Sequence, residues 1–96
     1  MTAQIERVDG RVAVSGNMTL SVAKMLLSNG SALVGTGDAV FDLAKVGSID
    51  SSGLAVLFGW QRAAQSQNKA LQILNPPRSL VSLAEVYGVS GLLTLS

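Results

Sequence analysis

The stretch that decides the fold is Val40–Gln67, VFDLAKVGSIDSSGLAVLFGWQRAAQSQ. Its first residues, Val40–Leu43, read as a buried strand in which Asp42 is the only charge. A short connector leads to Asp50-Ser51-Ser52-Gly53, and a helix follows whose first two turns are almost wholly apolar. Ser51 and Ser52 stand where small hydroxyl residues cap a helix, their oxygens accepting from amides left unpaired in the first turn. At about 100° per residue, Val56, Leu57, Trp60, Ala63 and Ala64 gather on one face, the core side. Leu54 and Phe58 fall opposite, among Gln61, Arg62 and Gln65. Two large apolar residues on a polar face, one turn from a pair of serines, suggest a docking surface. Ordinary packing is the competing explanation, because single exposed apolar residues are common.

Upstream, Ile5–Val8 and Val12–Ser15 are short extended segments joined by Asp9-Gly10, a dipeptide suited to a tight turn with positive φ. They predict a β-hairpin. Ser15–Thr19 reads as a loop, with Asn17 or Thr19 available to cap the helix that begins near Leu20. Asn29-Gly30 could stop that helix, or it could run on to Gly35; Ala32, Leu33 and Val34, which extend the apolar surface, favour the longer version. Gly35-Thr36-Gly37 is a turn and not a phosphate loop, since neither a third glycine nor a Lys-Ser/Thr pair follows.

Downstream, Ser66–Lys69 closes the central helix and Ala70–Leu74 forms a short strand. Pro76-Pro77 then opens a last helix, about Arg78–Tyr87, with Leu80, Leu83, Ala84 and Tyr87 on its core stripe. Gly88 suits its end. Val89–Leu95 is an apolar tail, a final turn or an edge strand packed on the body. The order β-β-α-β-α-β-α predicts a single α/β domain over residues 1–96, with a mixed, partly parallel sheet packed by helices.

Composition narrows the function. The 96 residues include neither cysteine nor histidine. Thiolate chemistry is thereby excluded, together with the commonest general base and zinc ligand. Catalysis would have to rest on Asp50, Asp42 or Lys45 beside Ser51. Asp50 reads better as a brace for the motif loop and Asp42 as a hydrogen-bond partner of nearby backbone at the strand end, and neither has a visible acid/base partner. No motif asks for a cofactor or a metal. A net charge of +1 with scattered basic residues gives no electrostatic case for nucleic acid. The first residues do not read as a signal peptide, and no apolar run reaches the roughly 20 residues of a membrane span. A soluble, cytoplasmic protein without direct membrane insertion is expected.

The strand Val40–Val46 followed by Ile49-Asp50-Ser51-Ser52-Gly53-Leu54 resembles the signature of STAS domains, named for sulfate transporters and anti-sigma factor antagonists. The order of elements matches over essentially the whole chain. The resemblance implies a non-catalytic protein-interaction module. In the antagonists the first serine of the motif, here Ser51, is phosphorylated by a partner kinase that is also the anti-sigma factor. The implied partner surface comprises Asp50, Ser51, Ser52, Gly53, Leu54 and Phe58, with Asn17 and Thr19 from the preceding loop.

That loop departs from the antagonist pattern. The antagonists carry Gly-Glu-Leu-Asp where this chain has Gly16-Asn17-Met18-Thr19, so both carboxylates are gone. The segment Leu83-Ala84-Glu85-Val86-Tyr87-Gly88-Val89 is instead similar to the small STAS subunit of bacterial phospholipid-trafficking, Mla-type ABC transporters. That subunit binds the transporter's ATPase, which would hold the protein at the inner membrane, and it needs a hydroxyl at the position of Ser51. Two partners are therefore implied as alternatives: an ABC transporter ATPase subunit, or an anti-sigma factor acting as serine kinase.

Overall fold

The computed structural model describes residues 3–37 and 39–93. Asp9 and Gly10 both adopt positive φ, 50° and 80°, and fold β1 (Gln4–Val8) back on β2 (Arg11–Met18) as the expected hairpin. Helix α1 (Leu20–Gly35) crosses to β3 (Val40–Ile49), helix α2 (Ser51–Ser66) to β4 (Gln72–Leu74), and helix α3 (Arg78–Val86) follows. A 3₁₀ turn at Ser90–Leu92 comes next, and Leu93 behind it is buried. The four strands lie in the order β1-β2-β3-β4, antiparallel in the hairpin and parallel thereafter. This is the mixed α/β sheet that the alternation of elements predicts.

Strand periodicity separates two faces. Val12, Val14 and Met18 of β2, Phe41, Leu43, Val46 and Ile49 of β3, and Ile73 of β4 are buried in one cluster with Leu26, Trp60 and Leu80 of the helices. The helices therefore cover one face. The other carries Glu6, Arg11, Asp42 and Lys45 and is polar. Trp60 is the centre of the packing. Its ring stacks on Phe41 with centroids 4.5 Å apart, and its Nε1 donates to the Leu26 carbonyl at 3.0 Å. Gly30 of α1 lies directly against the indole.

Two strands run further than their sequence suggests. β2 continues through Gly16-Asn17-Met18, expected as loop, and β3 continues to Ile49, past Leu43, where the apolar run ends, and past Val46, to which the family resemblance carries it. The reason is a pair of bulges, rare between parallel strands. Ala13 and Ser15 face Asp42 and Lys45, while Gly16 and Met18 face Val46 and Ile49, so β3 carries an extra residue at each place. The inward residues of β3 are thus spaced by two, three and three, which conceals the strand's period. Side chains repair both bulges. Asp42 Oδ1 accepts from Ala44 N at 2.9 Å, and Asn17 Oδ1 accepts from Ser48 N at 3.0 Å.

Tyr87 also departs from its expected core position. Helix α3 ends at Val86, so Tyr87 leaves the helical stripe and is 56 % exposed, whereas Leu80 and Ala84 are buried as expected. Strand β4 begins at Gln72, two residues later than expected, and Leu71 before it is buried.

Asp42 binds Asn75 Nδ2 at 3.0 Å and Arg11 Nη1 at 3.3 Å besides Ala44 N. The Asn75 amide chiefly, then the Ala44 N–H, holds its carboxyl below the ordinary aspartate value of 3.8. A depressed native pKa stabilises the fold above the unfolded value, and that contribution is lost as pH falls through the native one. The difference in thermal midpoint between wild type and Asp42→Asn should therefore be constant near neutrality and shrink below about pH 4. A difference that stays flat down to pH 2 would show that the charge contributes nothing.

Candidate partner-binding site where two helices begin

Sheet order places β2 beside β3, so the helices that follow them start side by side. Asp50 joins the two starts. One carboxylate oxygen, Oδ1, accepts from Ser52 N at 2.9 Å and Gly53 N at 3.1 Å, capping α2. The other, Oδ2, accepts from Leu20 N at 3.2 Å, in the first turn of α1. The Asp50 amide donates to the Met18 carbonyl at 3.2 Å. One residue thus satisfies three amides that would otherwise be unpaired, on two helices.

The expectation that Ser51 and Ser52 supply the cap is corrected, because both lie within the helix and Asp50 occupies the cap position. Thr19 stands at the cap position of α1 but makes no side-chain cap bond; its carbonyl accepts from Val22 N at 3.1 Å, and the Leu20 amide goes to Asp50. Gly53 is required by space: a Cβ there would run into the Met18 carbonyl and the Ile49 side chain.

With capping assigned to Asp50, the serines are released. Ser51 is exposed, and its hydroxyl makes no hydrogen bond among the described residues. Ser52 is half-buried and lines a groove between α1 and α2. Leu54, expected on the outer face with Phe58, is only 5 % exposed and belongs to the core, and Phe58 is half-buried against it. The helix is buried over a wider arc than one amphipathic stripe, because it packs against both the sheet and α1. Asn17 has its amide oxygen committed to the bulge at Ser48. The structure thus brings Asp50, Ser51, Ser52, Gly53 and Thr19 to one end of the sheet, while Leu54 faces inward.

Residues 1–94 match the family described as Mlab, STAS domain. The chain belongs to the STAS domain family. A 50-residue segment of this STAS domain is 36 % identical to the intermembrane phospholipid transport system binding protein MlaB of Haemophilus influenzae, covering 52 % of the chain and 48 % of that protein. The chain thus spans about half the length of the curated relative it matches.

Among solved structures it is similar to the unphosphorylated anti-sigma factor antagonist SpoIIAA from Bacillus, with a TM-score of 0.74, 16 % identity, and coverage of 99 % of this chain and 88 % of that one. An anti-sigma factor antagonist from Mycobacterium paratuberculosis gives a TM-score of 0.74 at 22 % identity, covering 98 % and 83 %. At such identities the structural likeness establishes the STAS fold alone.

Sequence reasoning missed the double role of Asp50. The signal was present: aspartate is as good a cap as serine, and it stands one residue nearer the strand. The exposure of Leu20, 74 %, was also missed.

No helix among the described residues is long and apolar enough to cross a membrane.

Proposed function

We propose that this STAS domain is a non-catalytic subunit that binds the ATPase of a phospholipid-trafficking ABC transporter, with Ser51 at the contact. The observation that carries this reading is the identity to MlaB, 36 % over 50 residues. The geometry supports it: Ser51 presents a free hydroxyl on a helix start that Asp50 holds in place. A hydroxyl so placed can donate or accept across an interface without loss to the fold. Such a protein would reside in the cytoplasm, at the inner membrane only through its partner.

A second reading, an anti-sigma factor antagonist switched by phosphorylation of Ser51, is favoured by the same exposed hydroxyl and by the SpoIIAA-like fold. A phosphate would add about 1.5 to 2 negative charges at a helix N-terminus, where the fold tolerates them. It would change the surface offered to a partner without unfolding the domain.

Affinity purification from the native host with wild type and Ser51→Glu separates these readings. The expected result is recovery of an ABC ATPase by wild type and its loss with Ser51→Glu, at thermal midpoints within a few degrees of each other. Recovery of a serine kinase in place of the ATPase would replace the first reading with the second. Equal recovery by both proteins would remove Ser51 from the contact.

A further inference from the structure

The groove that begins at Ser52 continues along α1 and α2 for about two turns. Its apolar floor includes Leu20, Leu27 and Ala55, with Leu20 74 % and Leu27 38 % exposed. Lys24 and Arg62 stand on it from opposite helices. They are the only charged residues of α1 and α2, which contain neither aspartate nor glutamate. Neither has an ion-pair partner among the described residues.

We infer that this groove docks an amphipathic helix of the partner whose apolar face is flanked by carboxylates. The inference rests on the proposed role as a subunit that binds an ATPase. Leu20 and Leu27 are seven residues apart, so they lie about 10 Å apart along α1. That spacing suits apolar anchors at i, i+3 or i+4, and i+7 of a docked helix. Two unpaired cations beside an apolar strip select acidic flanks and disfavour basic ones.

A second copy of the chain is a poorer occupant. The helix it could offer, α3, carries one carboxylate, Glu85, beside the single exposed apolar residue Val86, and the exposed acidic and apolar residues Glu6, Val8 and Asp9 lie on the β1–β2 hairpin and not on a helix. The inference also gives the sign of any effect at Ser51. An added anion at the mouth of the groove would repel the partner's carboxylates.

The test measures binding of the intact chain to the ATPase of the same transporter, for wild type, Lys24→Glu, Arg62→Glu, Arg62→Gln and Ser51→Glu. Sedimentation of each protein alone accompanies it. Both charge reversals should weaken binding about tenfold or more, Arg62→Gln less, and added salt should weaken wild type more than the reversals. Unchanged thermal midpoints would confirm that the fold is not at issue.

Reversals that leave affinity within twofold while Ser51→Glu abolishes it would overturn the groove and leave the ATPase role standing. Reversals that tighten binding would overturn the acidic helix. Wild type that does not bind the ATPase would end the proposed role and the inference together. Self-association that disappears in Arg62→Glu would assign the groove to a second copy instead.

Discussion

Gly30→Ala should lower the thermal midpoint by about 5–20 °C, although alanine is the better helix former. A methyl group at this position would lie inside the Trp60 indole. The ring cannot swing away cheaply, because its Nε1 is bonded to the Leu26 carbonyl and its face is stacked on Phe41. Overpacking of a tight core costs about 1–3 kcal/mol, and losing the indole's hydrogen bond adds about 1 kcal/mol or more. Helix propensity returns at most about 1 kcal/mol, which leaves a net loss of about 1–3 kcal/mol. Gly35→Ala is the control: nothing lies within 4 Å of its added carbon, so no loss is expected there. Trp60 is the only tryptophan, and its emission reports the indole directly. A Gly30→Ala protein with wild-type midpoint and emission would show that the helices can part at no cost.

Asp50→Ala should destabilise by about 2–3 kcal/mol, since a single cap is typically worth about 1 kcal/mol and this residue serves three amides on two helices. Asp50→Asn should cost less. Its oxygen can keep the Ser52 and Gly53 amides, but its NH₂ group would then face the Leu20 N–H, donor against donor. Hydrogen exchange distinguishes a shared cap from an ordinary one. The amides of Leu20, Ser52 and Gly53 should lose protection together in Asp50→Ala. Loss confined to Ser52 and Gly53 would show that α1 does not depend on this carboxylate. Partner binding should weaken as well, because the positions of Ser51 and the groove both follow from how the two helix starts are held.

The elements of this fold were legible wherever one rule governed a segment. Asp9-Gly10 specified its turn, the apolar period placed α1 to within its final residue, and proline followed by glycine bracketed α3. Errors arose where two rules overlapped. In β3, Leu43, Val46 and Ile49 face inward at a spacing of three, so a search for alternation stops at Leu43. In α2, a helix packed against both a sheet and a neighbouring helix buries Leu54 outside the main apolar stripe. Tyr87 lies one residue beyond the point where helical geometry applies. The motif Asp50-Ser51-Ser52-Gly53 was visible, but the division of labour within it was not. A string of three residues that can all cap a helix does not reveal which one does. Asp50, which does, also binds the amide of Leu20, thirty positions earlier in the chain, and that contact is not legible in the motif itself.

The two irregularities in β3 act as a measure of length. Val12 pairs with Phe41, but Met18 pairs with Ile49, so over the same span β3 uses two more residues than β2. Were both strands regular, Met18 would pair with Gly47, and Asp50 would overshoot the start of α1 by two residues, about 6–7 Å. A carboxylate that far on could not reach the Leu20 amide. The slack taken up at Ala44 and Gly47 is therefore what brings the ends of two unequal segments level. A one-residue deletion there would be felt at Ser51 as a displacement of about 3.3 Å, although no residue of the site had been changed.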